Sequence, residues 1–485
     1  MPVNFRAIGA VVSYVFIILA FAMGVSAGVG AGMGDMADAW LGTLAAAVVT
    51  LMAGVGLRMV SWGRHEVTVR EAIAIAVFGW LALGLAGALP FVLTGKGIPF
   101  IDALFESVSG FTTTGATIFS AVESLPYSLL FWRSATQFLG GMGVLVICVA
   151  ILPLLGAGGM QMFRTEVPGP FKDRLTPRIT DTARILWLVY VALTVLLVAL
   201  LIAAGMNVFE AVCHSFTAMS TGGFSTRNTS IVSFQRPAIE WILVVFMFLA
   251  ACNFNLHYAA LRGRSLRVHL RDTEFRFYAG FLLVIIGLCA FERSFVHQVP
   301  AGESVRSSAF TVMSISTTTG YSTVDFNQWS VFSKGLLLLA MLFGGCVGST
   351  AGGIKQFRTL VSLKEFRLRT KAMFNPAAVL KIKVNNTPIA PSIVSAIVSY
   401  TALYLVFTVF AILCMALMVG DGEVAMSSVI AAVSNIGPGF GGVGPLENYA
   451  WIPSAGKGLL ILCMLLGRLE FIAIMAFFFP SFWRH

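Results

Sequence analysis

Long apolar runs separated by short polar loops extend along the whole chain. Several runs reach about 20 residues, enough for a helix to cross a hydrocarbon core roughly 30 Å thick. The pattern predicts ten full spans, at about 7–30, 39–61, 71–94, 126–157, 179–205, 237–261, 276–296, 329–362, 392–419 and 456–480. The first run exceeds the roughly 7–15 apolar residues of a signal-peptide core, so it reads as a retained helix.

Between the later spans lie four shorter apolar stretches, each running into a glycine-containing turn. Residues 100–112 lead into Thr113-Thr114-Gly115-Ala116-Thr117, and residues 207–219 into Ser220-Thr221-Gly222-Gly223-Phe224. Residues 304–316 lead into Thr317-Thr318-Thr319-Gly320-Tyr321-Ser322, and residues 423–434 into Asn435-Ile436-Gly437-Pro438-Gly439. About 12 helical residues span roughly 18 Å, near half a bilayer. Such a segment enters, stops near mid-membrane and returns as extended backbone, which survives there only where it lines a water-filled cavity or is buried in protein. Thr114-Gly115, Thr221-Gly222 and Thr319-Gly320 recur at one place in the unit, with Ile436-Gly437 as the fourth.

Same-sense repeats of this kind predict an all-α polytopic membrane protein, with two N-terminal helices and four pseudo-symmetric helix–pore loop–helix repeats around a central pore. The divisions fall at 1–66 for the two-helix extension, then 67–160, 161–270, 271–385 and 386–485. Four turns about one axis would form a ring of backbone carbonyls. Carbonyls replace the hydration shell of a potassium ion without fixed charge, so the ion binds and still escapes. The short helices would aim their partly negative C-terminal ends at the cavity, favouring a cation. The expected filter is Thr113, Thr114, Gly115, Ser220, Thr221, Gly222, Thr318, Thr319, Gly320, Asn435, Ile436 and Gly437.

Composition agrees: the chain is 58% hydrophobic and 11% charged, against about 25% charged in globular domains. The net charge of +10 is distributed unevenly. Arg64, Arg70, Arg164, Lys172, Arg174 and Arg178, then Arg262, Arg264, Arg267, Arg271 and Arg276, then the bases between 355 and 383, fall in alternate loops. The positive-inside rule places these loops and both termini in the cytoplasm. The charge then faces anionic lipid or an acidic cytosolic partner rather than nucleic acid. The seven cysteines show no metal-ligand spacing or disulfide framework. No nucleophile, metal set or acid–base pair points to an enzyme.

The eighth span is interrupted by Gly344-Gly345-Cys346-Val347-Gly348-Ser349-Thr350-Ala351-Gly352-Gly353. So many small residues do not sustain a helix, since each glycine costs up to about 1 kcal/mol, and a broken helix at membrane depth marks a pathway or binding site. Its ending, Ile354-Lys355, lacks the Gly-Lys-Ser/Thr of a phosphate-binding loop. Arg468, inside the last span with Glu470 two residues on, is costly there and faces either a cavity or a structural partner. Arg133 and Gln137 sit early in the fourth span and are candidates for supporting the filter, a role the sequence alone does not show. Asp102 and Glu106 either concentrate cations at the mouth or favour a helix N-terminus. His214 reads as a hydrogen-bonded packing residue rather than a metal ligand.

These four turns and the glycine-rich break resemble those of the Trk/Ktr/HKT superfamily of potassium transporters, most closely the bacterial TrkH-type subunit. The resemblance covers the whole chain, including the two extra N-terminal spans. It implies ion contacts at Gly115, Gly222, Gly320 and Gly437, and potassium rather than sodium because position 115 is glycine and not serine. Asn435-Ile436-Gly437-Pro438 departs most from the filter pattern. The resemblance further implies a gate made by the loop containing Gly345, Gly348, Gly352, Gly353 and Lys355, lying under the filter beside Arg468. It implies a homodimer in the bacterial inner membrane and a cytosolic TrkA-type nucleotide-binding ring docked on residues 355–383 and 262–276. No cofactor is expected in this chain, and potassium is the substrate. The rival to a gated uniporter-like pore is a proton- or sodium-coupled symporter.

Overall fold

A computed structural model describes residues 4–63, 68–95, 97–151, 179–375, 381–469, 471 and 479–483. Glu470, Arg64, Arg164, Lys172, Arg174 and Arg178 lie outside them, as do the C-terminal ends of the expected spans 126–157 and 456–480.

The described chain is almost entirely helical. It opens with an antiparallel pair, α1 (Phe5–Met33) and α2 (Ala37–Val60). Asn4 caps α1 by accepting from the N–H groups of Arg6 and Ala7, and Gly34 closes it in the left-handed region at φ 86°. Then come α3 (Val69–Gly87), the one-turn α4 (Leu89–Leu93), the short α5 (Phe100–Phe111) and the long α6 (Tyr127–Ile151). The same order recurs with α7 (Ile179–Ala203), short α8 (Val208–Met219) and α9 (Pro237–Ala250). It recurs again with α10 (Phe254–Gly263), α11 (Arg267–Arg271), α12 (Thr273–Phe295), short α13 (Ala301–Ser316) and α14 (Val331–Leu342). The chain finishes with α15 (Gln356–Phe374), a two-stranded hairpin at 383–388, α16 (Pro391–Val419), short α17 (Gly422–Ser434) and α18 (Ser454–Leu469) before a final turn.

Among the described residues, six helices are long and apolar enough to cross a membrane, and a seventh span is possible if one bent pair counts. That pair corrects the expected span 237–261: α9 and α10 meet at 98°. The apolar run hides the bend because no proline or glycine marks it. Its cause is tertiary. The carbonyls of Ala250 and Ala251, at the end of α9, accept from Thr350 and Cys346 of the glycine-rich loop at 3.3 and 2.9 Å. Phe254 N–H, at the start of α10, donates to Gly348 O at 3.0 Å.

The long helices present apolar side chains outward, as Leu417, 90% exposed, and Leu283, 70%, show. Inward, two large apolar clusters surround the four short helices. Two of these are capped at their starts, α8 by Asn207 and α17 by Asp421, whose side chains accept from first-turn N–H groups, whereas α5 and α13 begin directly after Pro99 and Pro300.

Candidate functional site

Each short helix ends in the same backbone figure. One residue enters the left-handed region: Thr113 at φ 54°, Thr221 at 56°, Thr318 at 59° and Asn435 at 56°. The next N–H, of Thr114, Gly222, Thr319 or Ile436, donates to the carbonyl five residues back, at 2.8, 2.8, 2.9 and 2.8 Å. The residue after that is a left-handed glycine: Gly115, Gly223, Gly320 and Gly437, at φ 83°, 75°, 81° and 100°. Non-glycine residues rarely adopt this region because Cβ crowds the carbonyl oxygen.

This figure corrects the register expected for the second turn. Ser220 is a right-handed cap at φ −77°, the counterpart of Thr112 and Thr317, and the glycine matching Gly115 is Gly223, not Gly222. The Thr221-Gly222 pair imitates Thr114-Gly115 in composition, but position is set by distance from the helix end.

The four figures close on one another. A Cβ on Gly115 would lie 2.0 Å from Gly222 O, one on Gly223 1.8 Å from Thr319 O, one on Gly320 2.0 Å from Ile436 O, and one on Gly437 2.7 Å from Thr114 O. Every glycine therefore abuts the carbonyl that precedes the glycine of the next turn, and the fourth returns to the first. Gly115, Gly223, Gly320 and Gly437 also line one cavity of about 90 Å³ with Phe224, Pro438 and Tyr449.

Side chains behind the turns hold them. Ser109 Oγ donates to Ala116 O at 2.6 Å and Ser314 Oγ to Tyr321 O at 2.7 Å. Tyr449 Oη donates to Gly437 O at 2.6 Å. Arg133 binds Glu106 at 2.7 Å, Ser225 O at 3.0 Å and Thr117 Oγ1 at 3.2 Å, and lies 4.2 Å over the Phe224 ring. Glu106 is wholly buried in this pair and also accepts from Ile118 N–H at 2.9 Å. Its burial keeps it from concentrating cations at the mouth, and it lies beyond the first turn of α5, away from the helix N-terminus. Asp102 is tied to Lys457 at 2.5 Å. His214 is a buried packing residue, bonded to Glu210 O at 2.8 Å and Ser225 Oγ at 3.0 Å.

The glycine-rich loop, residues 343–355, lies against the other side of the ring. Gly352 N–H donates to Thr318 Oγ1 at 2.7 Å, and Thr350 Oγ1 donates to Met219 O at 3.1 Å. A Cβ on Gly352 would lie 2.2 Å from Ser434 O, one on Gly345 2.7 Å from Ala251 O, and one on Gly348 2.9 Å from the Asn253 side chain. Gly353 is left-handed at φ 67°. Arg468 donates to Thr350 O at 2.8 Å from the last helix, and Lys355 Nζ folds back onto Ala351 O. Buried Glu274 accepts from Val347 and Phe357 N–H groups at 2.8 and 3.1 Å, joining the middle of the loop to the start of α15. Sequence reasoning missed Glu274 and Tyr449. An acid in the first turn of α12 passes as an ordinary helix-start residue, so Glu274 carried no signal.

A family model described as TrkH, cation transport protein, matches residues 43–484. The Trk system potassium uptake protein TrkH of Salmonella typhimurium is 42% identical over 426 residues, 87% of each chain. The protein of the same name from Halomonas elongata is 40% identical over 440 residues, 90% of this chain and 91% of that one. The crystal structure of the potassium transporter TrkH from Vibrio parahaemolyticus superposes with a TM-score of 0.91 at 34% identity, covering 99% of this chain and all of that one.

Proposed function

This chain belongs to the TrkH family of cation transport proteins, and on that premise we propose that it takes up potassium through a gated pore whose filter is the ring of backbone carbonyls. It is a transport protein and not an enzyme. The observation that carries the reading is the closed circuit of glycine–carbonyl approaches among the four turns. The carbonyls of Thr114, Gly222, Thr319 and Ile436 are the natural ligands, standing in for water around a dehydrated ion. Gly115, Gly223, Gly320 and Gly437 let adjacent turns approach closely enough to share it. Thr113, Thr221, Thr318 and Asn435 supply the left-handed step below.

The glycine-rich loop is the gate in this reading. Gly345, Gly348, Gly352 and Gly353 let it pack under the ring, Lys355 closes it on itself, and Arg468 anchors it at Thr350. A cation passing inward would meet the loop backbone and a buried guanidinium, both of which must yield. The protein works as a homodimer in the bacterial inner membrane, termini inside, with a TrkA-type ring acting on the basic inner loops.

The test is cation flux in liposomes containing the purified chain, driven by a potassium gradient with rubidium and sodium as competitors. Potassium and rubidium should share the path, sodium should compete poorly, and Gly115→Ser should weaken the discrimination. Sodium flux equal to potassium flux sinks the filter assignment.

A further inference from the structure

The four turns are braced in three different ways. In the first and third units, a serine of the short helix holds the carbonyl of the residue after the glycine: Ser109 on Ala116 O and Ser314 on Tyr321 O. In the fourth, Ala431 stands at the serine position, and Tyr449 holds Gly437 O from outside. In the second, Thr217 stands there, but its hydroxyl donates to Cys213 O at 3.1 Å and meets the Tyr321 hydroxyl. The brace comes instead from Gln137 on α6, a helix of the preceding unit. Its Nε2 donates to Gly222 O at 2.8 Å, and its Oε1 accepts from Phe224 N–H at 3.0 Å. The amide thus grips the backbone on both sides of Gly223.

Gln137 also fills a vacancy. Where the other turns carry Thr114, Thr319 and Ile436, the second has Gly222, and a Cβ there would lie 2.4 Å from the Gln137 side-chain carbonyl carbon. The amide occupies the space that a side chain at 222 would need. Gln137 is wholly buried, so its two bonds have no competition from water and fix the peptide firmly.

We infer that Gln137 is a positioning residue for cation specificity: it sets the angle and field of the Gly222 carbonyl, the ring ligand of the second unit. The inference rests on the carbonyl-ring reading above. A carbonyl that shares its lone pairs with an amide N–H is a weaker and less mobile ligand than a free one. Its position therefore decides whether the ring fits potassium or relaxes around sodium.

The test is thermal unfolding of the purified full-length chain in potassium chloride and in sodium chloride at matched ionic strength. This reads ion binding whatever the state of the loop beneath, because an ion bound to the folded state raises the transition with the logarithm of its affinity. Wild type should be stabilised more by potassium. Gln137→Leu should narrow the potassium-over-sodium affinity ratio by about tenfold, the worth of one buried hydrogen bond. Gln137→Met, of similar volume, should do the same if the leucine variant does not fold. Gly222→Thr alone should lose the preference through its clash with Gln137. Gln137→Ala/Gly222→Thr, which rebuilds the Thr-Gly sequence of the third turn, should regain part of it. No potassium preference in wild type overturns the ring reading itself. A wild-type preference left intact by both Gln137 variants, or a double variant no better than Gly222→Thr, overturns the role of Gln137.

Discussion

Two kinds of glycine-rich irregular backbone, the four turns and one loop, meet at the centre of this molecule, and they are anchored differently. Each of the four turns hangs from its own short helix by N–H bonds reaching back three and five residues. Their glycines are left-handed and sit against the carbonyls of the neighbouring turn. The loop at 343–355 is tied to itself by a Phe343–Ile354 bridge. Local bonds add to this, Ser349 Oγ on Cys346 O and Lys355 Nζ on Ala351 O, and remote partners hold the loop in place: Ala250 and Ala251 of α9, Met219 and Thr318 beside the turns, Glu274 of α12 and Arg468 of α18. Local bracing fixes a shape that survives movement of the surroundings. Remote bracing ties the loop to several surrounding helices at once, as the gate proposed above requires.

The sharpest way to break this contrast is to make one substitution in both places. Gly320→Ala puts a Cβ 2.0 Å from Ile436 O, in a left-handed position that also opposes it. The ring has no slack, so potassium flux should fall by about 100-fold or more, on the scale of a several-kcal/mol overpacking cost. Gly352→Ala puts a Cβ 2.2 Å from Ser434 O, and on the proposed gate reading the loop retreats from it. Basal rubidium flux should rise by about tenfold for a loss of roughly 1.4 kcal/mol of docking. Falls of equal size in both variants would mean that the loop is as rigid as the ring. A smaller effect of the same sign as Gly352→Ala is expected of Arg468→Ala, which removes the bond to Thr350 O. Basal flux should rise a few-fold, in keeping with about 1 kcal/mol for one hydrogen bond. Unchanged flux would leave Arg468 a purely structural residue.

The sequence showed the broad architecture for a physical reason: apolar length and glycine placement are local properties of the chain. The break after Leu342 was legible because its glycines cannot hold a helix. The bend between α9 and α10 was not, since its cause lies about 100 residues away in the loop that packs into it. The second turn was misread by one residue because two adjacent glycines make the Thr-Gly pattern degenerate. Only the distance from Met219, the end of α8, separates Gly222 from Gly223. Glu106 offered a free carboxylate to sequence reasoning, yet its partner Arg133 lies 27 residues on, and burial turns the pair inward. Such pairings depend on packing between helices and leave no periodicity to find.

The mildest probe asks whether braces from outside the short helix matter as much as the turn's own bonds. Tyr449→Phe keeps the ring and its packing against Phe105 and removes only the hydroxyl that donates to Gly437 O at 2.6 Å. The turn would still hold its inner bonds, Asn435 N–H to Ala432 O at 3.2 Å and Ile436 N–H to Ala431 O at 2.8 Å. If those suffice, the loss is limited to about 1 kcal/mol of local order. Potassium flux should then drop about twofold to fivefold with the transition temperature nearly unchanged. The fourth turn is the case where this matters most, because Ala431 leaves it without the serine that holds the first and third. A drop as large as that of Gly320→Ala would show that the Gly437 carbonyl is positioned by its distant tyrosine, and that the fourth turn belongs with the loop beneath it rather than with the other three.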